Sequence, residues 1–307
     1  MERVICFNTR TEYSFTYCKW TACKGPTGNN GGAIFSEAAE VSLSFDGCTF
    51  LDCSCDDSQH GGIIYASQIS SISLTDTFFE WTSSVNKQAY RGGALYLHTI
   101  PSVTINHDTF NKCYATFSGG AIWSYNCLTE STTKQVINNC RFITCRGVSD
   151  CGGSIHVDSK QYDNLITNSL FSDCSNFHAG ALWLNSDCYS SHSPNKYPLK
   201  HCFFNRNYIS DTSGYGNDAI IRATATYTPT DAEPVFFCCF STSDSNRVGY
   251  RKYNTINGKT EWTSKNVNWL PQANINLQLI RGVQLMHIQS TTHTLTLTGR
   301  HYPVSIL

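Results

Sequence analysis

No run of 18 apolar residues occurs in the chain, so no segment is expected to cross a bilayer as a helix. The opening residues, MERVICFNTRTEY, lack the basic-then-apolar order of a secretory leader. Among 24 Asn there is not one N-x-[ST] acceptor, where chance would give roughly five; avoidance in a glycosylating route and accident both account for that. Charge is scarce and balanced. Lys plus Arg number 22 and Asp plus Glu 23, leaving a net charge of −1. No strong field recruits nucleic acid or an anionic membrane, and both are excluded as expected partners. Methionine is reduced to two, whereas Ser and Thr abound and Gly falls in pairs, a composition of strands and turns rather than helices. Apolar residues at 40% supply a large core, and charge at 15% is too low for disorder.

What the chain does have is a repeat. Aligned on the aromatic of C-x-F-x-x-C, the anchors are Trp20, Phe50, Phe79, Phe110, Phe142, Phe171, Phe204 and Phe240, spaced by 30, 29, 31, 32, 29, 33 and 36 residues. Five places before each anchor stands an apolar residue, from Phe15 and Phe45 to Leu199 and Val235. Further apolar residues two places earlier (Leu43, Ile72, Val103) give the period-two alternation of a strand. Three places before the anchor come Gly47, Asp76, His107, Asn139, Asn168 and His201, residue types that tolerate left-handed backbone and so predict a sharp corner. Tyr17 and Phe237 depart from that set, which predicts differently bent first and last corners. A glycine phrase closes each unit: GGAIF at 31, GGIIY at 61, GGALY at 92, GGAIW at 119, GGSIH at 152, AGALW at 179 and NDAII at 217. Three short strands in about 30 residues predict an all-β fold, a single right-handed parallel β-helix of about nine coils. Residues 1–307 read as one domain, with regular coils over 13–244, an irregular insertion over 245–278 and a degenerate last coil over 279–307 built on IRGVQLMHI and LTL. VICF at 4–7 reads as the end of a preceding coil.

Sixteen cysteines raise the question of metal, disulfide or packing. Two places before the anchor, Cys18, Cys48, Cys140 and Cys202 alternate with Thr77, Asp108 and Ser169. Three places after it, Cys23, Cys53, Cys113, Cys145 and Cys174 alternate with Thr82 and Asn207. A metal site does not lose thiolates in alternate coils. The columns read as small buried hydrophobes beside a phenylalanine column. Bridges between neighbouring coils are disfavoured by in-register geometry, and Cys6, Cys55, Cys127, Cys151, Cys188 and Cys239 are the better disulfide candidates. No metal and no cofactor are expected.

The phrases GGAIF, GGALY, GGAIW and AGALW, alternating with F-x-x-C, resemble the polymorphic outer membrane protein repeat of chlamydial surface proteins and similar repeats in surface-associated proteins of parasitic protists. Cys mostly replaces the Asn of the family's F-x-x-N, which stands only in FNRN at 204–207. The resemblance covers residues 13 to about 243 and implies surface exposure and adhesion. The family's leader and C-terminal membrane segment are not seen, so the resemblance also admits a piece of a longer repeat array.

Pectin-lyase-like β-helices also include lyases and glycosidases. Those enzymes require acidic residues at matched places in adjacent coils. No such set is found: Asp56, Asp57 and Asp150 fall in different variable loops, His60 has no matched acidic face, and Arg251 and Lys252 lie in the insertion. No catalytic residue is assigned. The candidate binding set is the position three after the second glycine: Phe35, Tyr65, Tyr96, Trp123, His156 and Trp183, continued by Ile221. The preceding Ile or Leu is assigned inward, which turns these rings outward as a stripe suited to sugar rings or a partner protein. The expected function is a non-catalytic surface or secreted scaffold for recognition or adhesion, with a carbohydrate or cell-surface protein as partner. A polysaccharide lyase or glycoside hydrolase, and a fragment of a structural array, are the alternatives.

Overall fold

The computed structural model describes residues 5–7, 11–82, 88–126, 134–159, 166–186, 199–200, 202–210, 219–223, 235–236, 239–240, 248–254, 259–264, 288–291 and 294–297. The chain is an all-β parallel solenoid, with no helix among these residues. By internal contacts it divides into 1–267 and 268–307.

Each turn of the first unit contributes one strand to each of three parallel sheets. The alternating sheet stacks eight strands, from Glu12–Thr16 through Ser42–Asp46, Ser71–Thr75 and Ser102–Asn106 to Val235–Phe236. The phenylalanine sheet stacks eight more, from Lys19–Thr21 through Thr49–Leu51 and Phe78–Glu80 to Cys239–Phe240. The glycine sheet begins at Ile5–Phe7, the VICF segment, and continues through Ile34–Ser36, Ile64–Ser67, Leu95–His98 and Ile122–Asn126. Register between rungs is strict: Phe45 faces Leu74, which faces Ile105, which faces Ile137. The alternation of the sequence explains this, because slipping one residue would turn the whole apolar set of a strand out of the core.

The corner between the first two sheets is a single left-handed residue. Gly47, Asp76, His107, Asn139 and Asn168 all have φ between 51° and 62°. Tyr17 was expected to bend otherwise, yet it has φ 51°. Its ring is 79% exposed and rests against Gly47, where an added Cβ would come within 2.4 Å of it. A side chain that lies outward over the next rung's glycine makes the strained corner tolerable for a bulky residue. His201 and Phe237 lie outside the described residues.

Inside, the phenyl rings form one column. Centroids from Trp20 to Phe204 are 4.4 to 5.1 Å apart, with interplanar angles of 11° or less. The rings from Phe50 to Phe204 are fully buried. Burial of each ring contributes roughly 2–3 kcal/mol, so this column is a major part of the stabilisation. Cys48, Cys140 and Cys202 also face inward, each about 1% exposed. They are more than filler, however. Each described thiol of the two columns points at a backbone carbonyl, most often that of the residue two places earlier: Cys140 Sγ lies 3.2 Å from Asn138 O, and Cys174 Sγ 3.4 Å from Ser172 O. Thr77 and Ser169 donate in the same way to Thr75 O and Thr167 O. The carbonyls they reach already accept a backbone N–H, as Asn138 O does from His107 at 3.0 Å, so the thiol is a second, weak donor at a place that takes a small, weakly polar side chain. Eleven cysteines have described side chains, Cys55 and Cys151 among them, and all are thiols outside any disulfide. Cys6, Cys127, Cys188 and Cys239 lie outside that set.

The two glycines of each phrase have different reasons. The first is left-handed at Gly31, Gly61, Gly92, Gly119 and Gly152, and Ala179 takes the same conformation at φ 55°. The second abuts the next rung: a Cβ on Gly93 would stand 2.1 Å from Gly120 O, and one on Gly120 2.2 Å from Gly153 O. Both places are crowded, since a Cβ on Gly119 would stand 2.3 Å from Ile122 O, but that contact lies within the phrase itself and Ala179 occupies the first place, whereas the second meets the backbone of the next rung.

Beyond Phe240 the pattern changes. Among the described residues the alternating and phenylalanine sheets hold eight strands each, fewer than the nine coils expected. Part of the presumed insertion, Val248–Asn254, pairs parallel with Ala219–Ala223 in the glycine sheet and antiparallel with Lys259–Ser264. In the second unit, Ile288–Thr291 and Thr294–Leu297 pair antiparallel with each other, so the LTL segment is one arm of a hairpin and not a strand of a ninth parallel coil.

Candidate functional site

The strands of the glycine sheet carry the stripe expected from the sequence. Ile34, Ile64, Leu95, Ile122, Ile155 and Leu182 point into the main core, and the residue after each points to the other face. Phe35 stacks on Tyr65 at 5.2 Å, Tyr65 on Tyr96 at 5.0 Å and Tyr96 on Trp123 at 4.6 Å. Trp123, His156 and Trp183 follow at 6.0 and 6.3 Å. The next position is Ile220, not Ile221: Trp183 pairs with Ile220. The irregular NDAII phrase enters its strand one residue earlier than the glycine phrases do.

The stripe is not an open face. Tyr65, Tyr96, Trp123, His156 and Trp183 are each only 6–8% exposed. Their faces are taken by one another, and the segments just before the glycine phrases cover the rest. The His60 ring stacks on Tyr96 at 4.7 Å, and the Arg91 guanidinium lies 5.3 Å from the Trp123 centroid. Burial and the neighbouring Arg91 charge lower the His60 pKa to about 4. His156 is held at both nitrogens, Nε2 by Asp158 at 3.0 Å and Nδ1 by the Cys151 carbonyl at 3.4 Å. Burial and the Glu37 carboxylate raise the Tyr65 phenol above its usual range. This is a packed layer that stabilises the sheet.

The covering layer itself forms a cleft. Ala89–Arg91 and Ala115–Ser118 pair parallel as a two-stranded sheet outside the main ladder. Gln88 anchors it from beneath. Its side chain is fully buried, Nε2 donating to Cys53 O at 3.0 Å and Oε1 accepting from the Tyr114 N–H at 3.1 Å. Outward, Tyr90 stacks on Phe117 at 4.9 Å, and Arg91 lies 5.5 and 5.0 Å from their centroids. Arg91 thereby joins this pair to Trp123. Between the layer and its neighbours opens a cleft of about 630 Å³, whose lining includes Asp57, Tyr90, Tyr114, Thr116, Phe117 and Ser149.

The polar groups of the cleft are tied down. Thr116 Oγ1 donates to Asp57 O at 3.3 Å and Ala89 O at 3.4 Å, and Ser149 Oγ donates to Thr116 O at 3.0 Å. The Ser149 and Asp150 N–H groups both reach Phe117 O. Four successive rungs thus meet here, and Asp57 is brought beside the loop preceding Asp150, although the sequence places the two acids in separate loops. Asp56 faces elsewhere, accepting from the Gly28 N–H at 2.9 Å. Sequence reasoning missed Tyr90, Tyr114 and Phe117. A signal was present: Tyr90 and Phe117 both stand two places before a glycine pair, so the ladder must stack them. Arg251 and Lys252 lie on the strand paired with Ala219–Ala223, outside this cleft. Among the described residues no group of three or more His, Cys, Asp and Glu is placed to hold a metal ion, and no helix is long and apolar enough to cross a membrane.

Comparison of the chain with protein-family models, with curated proteins and with solved structures finds no match in any of the three.

Proposed function

We propose that this chain is a non-catalytic recognition scaffold of the surface or secreted kind, binding a glycan or a partner protein. The observation that carries the reading is the cleft at Tyr90, Tyr114 and Phe117, where aromatic and hydroxyl side chains from consecutive rungs gather on strands fixed to the ladder. Such a site costs little to order on binding, because its backbone is already paired and its hydroxyls are already oriented. The resemblance of the repeat phrases to adhesive surface proteins supports the same reading by analogy. The aromatic stripe, with Phe35, Tyr65, Tyr96, Trp123, His156 and Trp183, serves it as the rigid support beneath the cleft rather than as the contact face. Asp57 is the one carboxylate among the described lining residues, and a glycosidase needs a second acid about 5–9.5 Å away; the enzymatic reading therefore stands second. A binding screen against glycans and cell-surface proteins, run beside a polysaccharide degradation assay, tests the proposal. Saturable binding without product release is expected, and degradation with turnover would overturn it.

A further inference from the structure

We propose that His60, Arg91 and Ser118 hold a small inorganic anion of the halide class between the aromatic stripe and the layer that covers it. The site goes beyond the recognition reading above and does not depend on it.

Three polar atoms in successive rungs carry the proposal. The residue just before the glycine pair forms a column of its own, in which His60 pairs with Arg91 and Arg91 with Ser118. His60 Nδ1, Arg91 Nε and Ser118 Oγ are all buried, and none has a hydrogen-bond partner. A buried polar atom left unpaired is costly, so three in register mark a place where something is held. Arg91 decides what that is. Its guanidinium lies over the rings of Tyr90, Phe117 and Trp123, and no carboxylate among the described residues pairs with it. Burial and this neighbouring charge lower the His60 pKa to about 4, so its ring is neutral at neutral pH. A cation set among rings without a counter-charge is unfavourable, and an anion beside it removes that cost. The donors agree. Arg91 Nε only donates, the Ser118 hydroxyl can turn its proton, and neutral His60 donates from Nδ1 in one of its two tautomers. A water accepts two such bonds at most and must also find acceptors for its own protons, whereas a halide accepts all three. The enclosure sets the size: three atoms out of reach of solvent admit a monatomic or similarly small ion, and not a sugar or a peptide carboxylate.

The test uses the full chain. Its melting temperature is measured in increasing sodium chloride, with sodium gluconate holding the ionic strength constant. A saturable rise of about 3 °C or more is expected, reproduced by sodium bromide. Arg91→Gln should raise the half-saturating chloride concentration roughly tenfold or more, and Ser118→Ala roughly fivefold or more. Ser118→Ala keeps the test readable if Arg91→Gln does not fold. In gluconate alone it should melt within about 1 °C of the parent or higher, because the hydroxyl it removes has no partner in the protein. Crystals grown in bromide should show an anomalous peak within hydrogen-bond reach of Arg91 Nε. A flat chloride response, a response that both substitutions leave unchanged, or a water where the bromide is expected overturns the proposal. A Ser118→Ala protein that melts clearly lower in gluconate also overturns it, since the hydroxyl is then satisfied by the fold itself.

Discussion

The Thr77 backbone N–H donates a 2.6 Å hydrogen bond to Oδ1 of Asp108 in the next rung, inside a column that solvent does not reach. Ser169 receives the Cys140 N–H in the same way at 3.1 Å, and the Asn207 side chain receives the Cys174 N–H at 2.9 Å in the second column. Asp108 differs in carrying a second oxygen, Oδ2, that is buried without a partner. Burial pushes its carboxyl well above 3.8, and the Asp76 charge adds to the rise. Cys18, Cys48, Thr77, Cys140 and Ser169 each donate to the carbonyl two residues earlier, so a protonated Asp108 matches the column with Asn106 as the equivalent acceptor.

A pH dependence follows. The folded chain holds a proton on Asp108 that the unfolded chain releases, so this contribution is complete below the unfolded pKa and is lost as pH rises toward the folded value. Asp108→Ser keeps the acceptor and the donor without the charge. It is expected to stabilise the protein by about 1–3 kcal/mol at pH 7 and to flatten the rise of stability toward acid. Urea midpoints at pH 4, 6 and 8 check this, and a variant weaker than the parent at pH 7 contradicts it.

His60 works in the opposite sense. Its folded pKa of about 4 lies below the ordinary 6.5, so the unfolded chain binds the proton more readily. Its contribution is complete above 6.5 and is lost as pH falls toward 4. After allowance for solvent screening the loss is about 1 kcal/mol. The measured slope between pH 7 and 4.5 should be shallower in His60→Gln.

The core thiols should be inert while the protein is folded. Burial pushes Cys53 and Cys55 up to about 12 and Cys140, Cys145 and Cys174 well above 9.0. Iodoacetamide at pH 8 is expected to spare these five, as read by mass spectrometry, and to label them after denaturation. Cys140→Ser keeps the donor and should cost less than about 1 kcal/mol, whereas Cys140→Ala leaves a small cavity in the column, with the Asn138 carbonyl still held by the His107 N–H, and should cost about 1–2 kcal/mol.

Within one glycine pair the two members should respond unequally. Gly119→Ala sets its methyl 2.3 Å from Ile122 O of the same phrase, a contact that Ala179 shows the phrase can relieve, and is expected to cost about 1–3 kcal/mol. Gly120→Ala sets a methyl against Gly153 O and the Arg146 backbone, at 2.2 and 2.6 Å. It should cost more than about 3 kcal/mol or prevent folding. Comparable melting temperatures for the two would contradict the packing argument.

The three-strand turn was legible because stacking in register forces one residue type to recur at one place: Phe50, Phe79 and Phe110 announce their column by spacing alone. The donor role of the cysteines was not, since it depends on which carbonyl the corner brings within reach of the side chain, and Cys, Thr and Ser look alike as small residues. Tyr17 escaped because side-chain identity predicts a left-handed corner only on average, and here the packing over Gly47 decides. The aromatic stripe was found but its cover was not. His60 and Arg91 come from loops of variable length, where spacing gives no register until the glycine pair that follows is used as the ruler.

Among the described residues the backbone bonds that leave each regular rung run only to the rungs on either side, which bears on how the solenoid yields to load. Pulled from its two ends, it has no shear-locked clamp spanning the whole length; each turn must peel from the next. Extension should proceed in near-equal steps, each releasing about 30 residues and roughly 100 Å of contour. A stack of rungs that gives way one turn at a time dissipates a sudden tug while most of its surface stays in place.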